Sequence, residues 1–169
     1  AALSLELSAS LTDSYFMGGS AKQFGVGVNS GCTLMAAAVE ERLRLGGTGT
    51  VVMSIDLRNA FNSWDRSFMW SLVRRHFPRL LPLLRLMYGT DGLVFFNNGD
   101  EFTTIKNNVG SRQGCGFGSF LFCLALQPVL QQLQDEFPDV LVVSYCDDVN
   151  LVGKASEVAA AYRRYGVLV

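Results

Sequence analysis

Apolar residues recur along the chain with helical spacing in some segments and in continuous runs in others, which predicts a mixture of helices and strands. Helical spacing marks five segments: 31–45, 62–75, 78–88, 120–134 and 157–165. Apolar and β-branched runs predict a buried strand over 50–57 and two hairpins, in LVFFNNGDEF and VLVVSYCDDVNLVG. Asn98 and Gly99 form the predicted turn of the first hairpin, and Asp147 and Asp148 that of the second. Since at least one strand pair is antiparallel, we predict an α+β fold rather than a doubly wound α/β fold.

Polar and glycine residues mark the predicted ends of these helices. Ser30 is expected to cap the first helix, Asn62 or Ser63 the second, and Ser156 the last, because such side chains accept a hydrogen bond from a free N–H of the first turn. Gly46-Gly47 is expected to end the first helix. The final residues, YGVLV, are predicted to enter a strand. Both ends of the chain suggest a piece cut from a longer protein.

The composition is that of a folded protein whose surface carries no overall positive charge. Of its 169 residues, 49% are hydrophobic and 17% are charged, which excludes intrinsic disorder for the whole chain. The formal net charge is -1, so any nucleic-acid contact must be local or supplied by other segments. The most apolar stretch, 117–130, is shorter than the about 20 residues of a membrane-spanning helix, so we expect no membrane insertion. The four cysteines form no CxxC pair, which argues against a zinc site and favours a reducing compartment.

Three aspartates are candidates for metal chemistry. Asp56 ends the predicted strand, and Asp147 and Asp148 lie at the tip of a predicted hairpin, so the three converge if those strands are neighbours. Carboxylates brought together repel one another unless a cation joins them. Their hard oxygens suit Mg²⁺ or Mn²⁺, and two such ions about 3.5–4 Å apart suit phosphoryl transfer. The alternative is structural, because Asp is common at turns and strand ends, where it bonds nearby N–H groups.

Two further features are candidate nucleotide contacts. Phe61 follows Asp56 by five residues, where a flat apolar ring would exclude a 2′-hydroxyl, although core packing is the ordinary role of Phe. The loop 111–114 leads into a predicted helix and contains Arg112, a fixed positive charge, and Gln113, a neutral donor and acceptor. Its glycine permits close approach to a ligand. The alternative for this loop is a solvated turn.

In order and spacing these three sites resemble the polymerase motifs of reverse transcriptases. SIDLRNAFN with Asp56 resembles motif A, GSRQG at 110–114 with the helix after it resembles motif B, and YCDD at 145–148 resembles motif C. The upstream segment QFGVGVNSGC resembles a segment ahead of motif A in non-LTR retrotransposon enzymes. The combination of AFN, RQGC and LQPVL looks closest to site-specific non-LTR elements of protists. The resemblance covers about residues 23–153. Motif B departs from the usual QGDPLSP at Cys115 and Gly116.

The resemblance implies an RNA-directed DNA polymerase, with a palm-like antiparallel sheet packed with helices from a right-hand polymerase. Residues 1–169 would form one partial domain, the end of the fingers plus the palm, without the thumb and most of the fingers, and inactive alone. Asp56 and Asp147 would bind two Mg²⁺ or Mn²⁺ ions, with Asp148 as a less essential third carboxylate. The implied partners are an RNA template, a DNA primer and a deoxynucleoside triphosphate. The implied location is intracellular, in the nucleus, and the oligomeric state stays open.

The same resemblance implies roles for the remaining site residues. Phe61 would be the gate that discriminates between sugars. Gln113 and Gly114 would contact the incoming nucleotide or the template. Arg112 would lie near the phosphate backbone, and Tyr145 would pack near the primer end.

Two other functions stay open on the sequence alone. An RNA-dependent RNA polymerase would place a smaller or polar residue near motif A, where Phe61 stands, and typically has Gly-Asp-Asp in motif C. A non-catalytic polymerase-like scaffold that binds RNA usually loses a metal carboxylate. All three carboxylates remain here: Asp56, Asp147 and Asp148.

Overall fold

A computed structural model describes residues 12–99, 101–112 and 114–169, which alternate between helices and short strands. After a π-helical turn, Thr12–Phe16, the main elements in chain order are β1 (Lys22–Gln23), α1 (Gly31–Gly46), β2 (Thr50–Ile55), α2 (Ala60–Ser63), α3 (Arg66–His76), α4 (Leu81–Tyr88), β3 (Gly92–Asn97), β4 (Phe102–Asn107), α5 (Gly118–Glu136), β5 (Leu141–Tyr145), β6 (Asp148–Lys154) and α6 (Ala155–Leu168). A 3₁₀ turn, Pro78–Leu80, precedes α4. The predicted mixture of helices with mainly antiparallel strands is confirmed. Within the described ranges, no helix is both long enough and apolar enough to cross a bilayer.

The chain divides into two compact units. The sheet unit comprises Ala1–Arg58 and Leu126–Val169, and the hairpin unit comprises Asn59–Ala125.

The sheet unit contains four strands in the order β1-β5-β6-β2. β6 pairs antiparallel with both β5 and β2, and β1 pairs parallel with β5. The inner strands carry the buried side chains of this unit, among them Val142, Val149 and Leu151, each fully inaccessible to solvent. α1 and α6 pack against β2 and β6. The core of this unit therefore lies on the two inner strands and their covering helices.

The expectation that residues 50–57 form a buried strand is wrong in one respect. The strand exists, but β2 is an outer strand of the described sheet, and Val51 and Val52 are each 37% exposed. An apolar, β-branched run predicts a strand but does not say whether that strand is central or at the edge of a sheet. The sequence pattern therefore predicts the element correctly but not its burial.

The hairpin unit combines α2, α3, α4 and the start of α5 with the β3–β4 hairpin. Its core side chains come from α3, α4 and α5, among them Met69, Leu84 and Leu121, which are fully buried. β3 and β4 pair antiparallel, with Val94 opposite Ile105. Gly99 has a φ of 91°, a left-handed conformation that glycine adopts without strain, so Asn98-Gly99 lies in the turn as predicted. Asn97 pairs with Phe102, however, so the turn is longer than the two residues Asn98-Gly99.

Several predicted helix ends are wrong. Asn62 and Ser63 are not caps of a long helix but lie inside the short helix α2. α3 begins at Arg66, and Asp65 caps it, because a carboxylate oxygen of Asp65 accepts a hydrogen bond from the Ser67 N–H at 2.7 Å. Ser30 does precede α1, but it is left-handed and its side chain makes no cap hydrogen bond.

The last helix is longer at both ends than predicted. α6 begins at Ala155, one residue before the expected cap Ser156, and continues to Leu168. The expectation of a strand at YGVLV is therefore wrong. The Val169 N–H donates to the Tyr165 carbonyl oxygen at 3.1 Å, which continues the helical pattern of hydrogen bonds. The valines favour a strand, but packing of α6 on the sheet overrides that weak local preference.

Candidate active site

The β5–β6 hairpin places an aspartate in a tight turn. Tyr145 pairs with Asp148, so the turn residues are Cys146 and Asp147, one position earlier than the predicted Asp147-Asp148 turn. Cys146 has a φ of 53°, in the left-handed region that two-residue hairpin turns require. Asp147 is half-buried in the turn, whereas Asp148 is exposed as the first residue of β6.

The register of β2 and β6 brings Asp56 to the same end of the sheet. Ile55 pairs with Val149, and Asp56 directly follows Ile55 just as Asp148 directly precedes Val149. Neighbouring strands lie about 4.8 Å apart, so the backbones of Asp56 and Asp148 are close. Asp56 is exposed.

The side chains at this end of the sheet do not already form a metal cage. In the part of the chain that the structure describes, no group of three or more His, Cys, Asp or Glu side chains is arranged to hold a metal ion. The backbone register thus brings the three aspartates to one sheet end, and their metal-binding role stays a prediction.

A buried glutamine that the sequence did not single out fixes the hairpin turn. The Gln23 side chain is fully buried, its Oε1 accepts from the Cys146 N–H at 2.9 Å, and its Nε2 donates to the Cys146 carbonyl oxygen at 3.3 Å. A methyl group added to Gly25 would lie 2.5 Å from the Cys146 nitrogen. The glycines of QFGVG did indicate backbone lying close to something, and Gly25 meets that expectation against the turn. Gln23 and Gly25 therefore position the residue beside Asp147.

In the hairpin unit, the end of motif A contacts the start of motif B. The Phe61 carbonyl oxygen accepts hydrogen bonds from the Ser111 N–H at 2.6 Å and from the Ser111 hydroxyl at 3.1 Å. The half-buried Phe61 ring packs on the Phe122 ring, with centroids 4.8 Å apart. Gly110 has a φ of 60°, and any side chain there would overlap the Phe61 carbonyl. These contacts fix the Phe61 backbone against the loop that begins motif B.

Arg66 is a second positioning residue that the sequence did not reveal. It is 7% exposed, and its guanidinium donates from Nε to the Gly110 carbonyl at 2.8 Å and from Nη1 to the Asn107 carbonyl at 2.9 Å. Nη2 donates to the Asn107 side-chain oxygen at 2.7 Å and to the Val109 carbonyl at 3.2 Å. Burial, with a contribution from the charge of Arg112, lowers the pKa of Arg66. The planar guanidinium of Arg66 thus fixes the backbone that leads into motif B.

Arg112 is held by Tyr88 and by the start of β3. Its backbone N–H donates to the Tyr88 hydroxyl at 3.1 Å, and its guanidinium carbon lies 5.3 Å from the centre of the Tyr88 ring. The Arg66 guanidinium carbon lies 5.1 Å from the same ring centre. Burial and a hydrogen bond with the Cys115 thiol raise the pKa of Tyr88 to about 12. A side chain at Gly92 would meet the Arg112 guanidinium, so glycine makes room for the cation.

The remaining predicted site residues are Gln113, Gly114 and Tyr145. Gly114 is exposed with a φ of 78°, a conformation that favours glycine, and Gln113 lies outside the described residues. Tyr145 is 36% exposed at the end of β5. The sheet unit therefore carries Tyr145 and the three aspartates, and the hairpin unit carries Phe61, Arg112 and Gly114.

Comparison with known proteins gives one family and two relatives. Residues 8–164 match the family described as reverse transcriptase (RNA-dependent DNA polymerase). The chain is 32% identical, over 138 residues, to the retrotransposable element SLACS 132 kDa protein of Trypanosoma brucei gambiense, covering 80% of this chain and 11% of that protein. It is 27% identical, over 122 residues, to the transposon TX1 uncharacterized 149 kDa protein of Xenopus laevis, covering 66% and 9%. The chain thus spans only about a tenth of the length of these relatives.

Proposed function

Because this chain belongs to the reverse transcriptase (RNA-dependent DNA polymerase) family, we propose that it forms the palm-like catalytic part of an enzyme that copies RNA into DNA. The observation that carries the proposal is the register of the sheet unit. That register puts Asp56 of motif A and Asp147-Asp148 of motif C at one end of the sheet. The retrotransposable element among the relatives supports a non-LTR retrotransposon as the source of the enzyme.

The proposed reaction extends a DNA primer on an RNA template. The primer 3′-oxygen forms a bond to the α-phosphorus of a deoxynucleoside triphosphate, the bond from that phosphorus to the bridging oxygen breaks, and pyrophosphate leaves. The proton of the primer hydroxyl is released. Such a transfer needs positioning and charge neutralisation rather than a nucleophilic side chain.

The donor set at the end of the sheet fits divalent cations. Asp56 and Asp147 would hold two Mg²⁺ or Mn²⁺ ions, with Asp148 as a further carboxylate, because hard oxygens are the ligands that these ions prefer. When bound, the ions would neutralise phosphate charge and lower the pKa of the primer hydroxyl. Gln23 would keep the turn of Asp147 in one conformation through its bonds to Cys146.

The hairpin unit would provide the contacts to the nucleotide and the template. Phe61, with its backbone fixed by Ser111 and its ring packed on Phe122, would exclude a ribose 2′-hydroxyl by its bulk. Arg112 would contact a phosphate, and Gln113 and Gly114 the nucleotide or the template. Tyr145, at the end of β5, would contact the primer.

Primer extension by the full-length protein that carries this chain tests the proposal. With an RNA template, a DNA primer, deoxynucleotides and Mg²⁺, Asp56→Asn and Asp147→Asn should each reduce extension by at least about 100-fold, because each removes a charged ligand. Asp139→Asn is the matched control, because Asp139 is exposed at the opposite end of β5. This variant should extend the primer normally. Normal extension by Asp147→Asn would overturn the proposed reaction.

Binding of Mn²⁺ separates an enzyme from a non-catalytic scaffold. A catalytic site should bind Mn²⁺ more weakly after Asp147→Asn, because the substitution removes a negative oxygen ligand. A scaffold that only binds RNA should show no difference between the two proteins. Electron paramagnetic resonance of free Mn²⁺ measures the difference directly.

A further inference from the structure

Phe61 is held at two separate points by the segment that contains motif B. Its carbonyl oxygen accepts hydrogen bonds from the N–H and the hydroxyl of Ser111, at 2.6 Å and 3.1 Å. Its ring packs on the Phe122 ring, with centroids 4.8 Å apart and ring planes inclined by 34°. The first contact fixes the backbone, whereas the second selects among the rotamers that a fixed backbone still allows. The position of the Phe61 ring therefore depends on Phe122 as well as on Ser111.

Phe122 is the fixed member of this aromatic pair. It lies in α5 and is 4% exposed, and the next residues of the helix, Cys123 and Leu124, are fully buried, as is Leu121 before it. Close-packed side chains of this kind keep one rotamer, because a change would need an empty space beside them. Phe61 is only half-buried, so part of its ring surface is open to solvent. Phe122 thus supports the Phe61 ring, and not the reverse.

The packing energy of two rings sets how firmly the Phe61 ring is held. An aromatic pair favours the packed arrangement by about 2- to 13-fold beyond the burial of its apolar surface. Leucine at position 122 would keep most of the apolar volume but remove the ring, so the Phe61 ring would tilt into the space that is released. A tilted ring leaves room for a 2′-hydroxyl. The fraction of molecules with a tilted ring then sets the rate at which ribonucleotides enter.

We propose that Phe122 is a positioning residue for sugar selection, which holds the Phe61 ring where it excludes a ribose 2′-hydroxyl. The inference rests on the proposed function, in which Phe61 is the sugar gate, and it adds a buried residue that acts on the nucleotide only through Phe61. Sugar selection is then a joint property of two motifs. Motif A provides the ring, and the helix after motif B provides its support.

Single-nucleotide primer extension by the full-length protein that carries this chain tests this role. Phe122→Leu should raise kcat/KM for ribonucleotides relative to deoxynucleotides by about 2- to 13-fold, the factor that the aromatic pair contributes. The same ratio for dideoxynucleotides should not change, because these lack the 2′-hydroxyl that the gate excludes. Phe122→Tyr keeps the ring and should keep the wild-type ratio. A ratio of two substrates on one enzyme does not depend on how much of the variant is folded.

Phe120→Leu is the matched control on the same helix. Phe120 packs on Phe77 with ring centroids 5.3 Å apart, so the substitution removes a different aromatic pair of α5. It should change the ratio of ribonucleotide to deoxynucleotide incorporation by less than 2-fold, about the precision of the measurement. Equal changes in Phe120→Leu and Phe122→Leu would mean that any loss of packing in α5 relaxes sugar choice, and would overturn the proposal.

A double variant separates action through Phe61 from a general loosening of the site. In Phe61→Ala no ring remains to be positioned, so the addition of Phe122→Leu should leave the ratio of the Phe61→Ala protein unchanged within about 2-fold. Residues that act in one contact are non-additive in this way, whereas independent residues multiply their effects. Multiplied effects of the two substitutions would show that Phe122 acts independently of the gate, and would refute its positioning role.

The same assay distinguishes failure of this inference from failure of the proposed function. An active Phe122→Leu protein with the wild-type sugar preference would overturn the role of Phe122 and leave the polymerase in place. Absence of primer extension by the wild-type protein would reject the polymerase, and the sugar gate with its support would be rejected together with it.

Discussion

Replacement of Arg66 by methionine should strongly destabilise the hairpin unit. The guanidinium makes four hydrogen bonds, three to backbone carbonyls of residues 107–110 and one to the Asn107 side chain, and it also lies over the Tyr88 ring. Methionine refills most of the buried volume but donates nothing. The carbonyls of that loop would then lose their partners, and the backbone that leads to Arg112 would lose its anchor.

The magnitude follows from the number of contacts. Four hydrogen bonds contribute about 1 kcal/mol each, and the cation–aromatic contact about 1 kcal/mol. Partial access of water to the freed carbonyls and the apolar contacts of methionine offset part of that sum, so we expect Arg66→Met to lower the free energy of unfolding by about 3–4 kcal/mol. A typical domain has about 5–15 kcal/mol in total, so the loss is large.

Urea denaturation followed by circular dichroism measures this loss as a lower midpoint with an unchanged slope. Arg74→Met is the matched control on the same helix, because Arg74 is exposed, and it should stay within about 0.5 kcal/mol of the wild type. Arg66→Lys should be intermediate, since lysine keeps the charge but lacks the planar fork. An Arg66→Met protein within about 1 kcal/mol of the wild type would refute the reasoning.

Three further predictions concern the turn, the buried tyrosine and the sugar gate. Gln23→Leu should lower the free energy of unfolding by about 2–3 kcal/mol, because it removes the two hydrogen bonds from the buried Gln23 side chain to the Cys146 peptide groups, whereas Gln132→Leu, at an exposed position, should be nearly neutral in the same urea titration. Folding raises the pKa of Tyr88 from 10.0 to about 12, so the folded state holds its proton more tightly, and stability should fall as the pH rises through that interval. Tyr88→Phe should remove the loss of stability that comes from this tyrosine. If the variant and the wild type lost stability identically with rising pH, the assignment to Tyr88 would be wrong. Phe61→Ala in the full-length protein should increase incorporation of ribonucleotides relative to deoxynucleotides, while Phe68→Ala should not; an unchanged preference in the Phe61 variant would argue against the gate.

Local signals in the sequence predict much of the fold. Asn98-Gly99 lies in the turn of the predicted hairpin and the first strand forms as expected, but the second strand, Phe102–Asn107, begins where the predicted segment ends. The helix predicted over 120–134 is present as α5. Helix starts were less predictable where candidate caps follow one another closely, as at Asn62, Ser63 and Asp65, because the cap is decided by where the backbone turns.

The sequence predicts the motifs of the candidate site but not the residues that fix their backbone. The order of the three motifs identifies the family, because each motif is contiguous in the sequence. Arg66 bonds to a loop 44 residues away, and Gln23 bonds to a turn 123 residues away. Nothing in the immediate neighbours of either residue indicates its partner. The roles of the aspartates, Phe61 and the motif B loop stay predictions until the variants above are assayed.

The outer position of β2 has a consequence for handling the isolated chain. Within the described sheet, one row of its peptide groups has no strand partner, and the strand sequence TVVMSI contains neither lysine nor proline. Such an edge recruits strands from other molecules and promotes aggregation. A concentrated solution of the chain should therefore form assemblies by edge-to-edge pairing, and a lysine in place of Val52 should keep it dispersed.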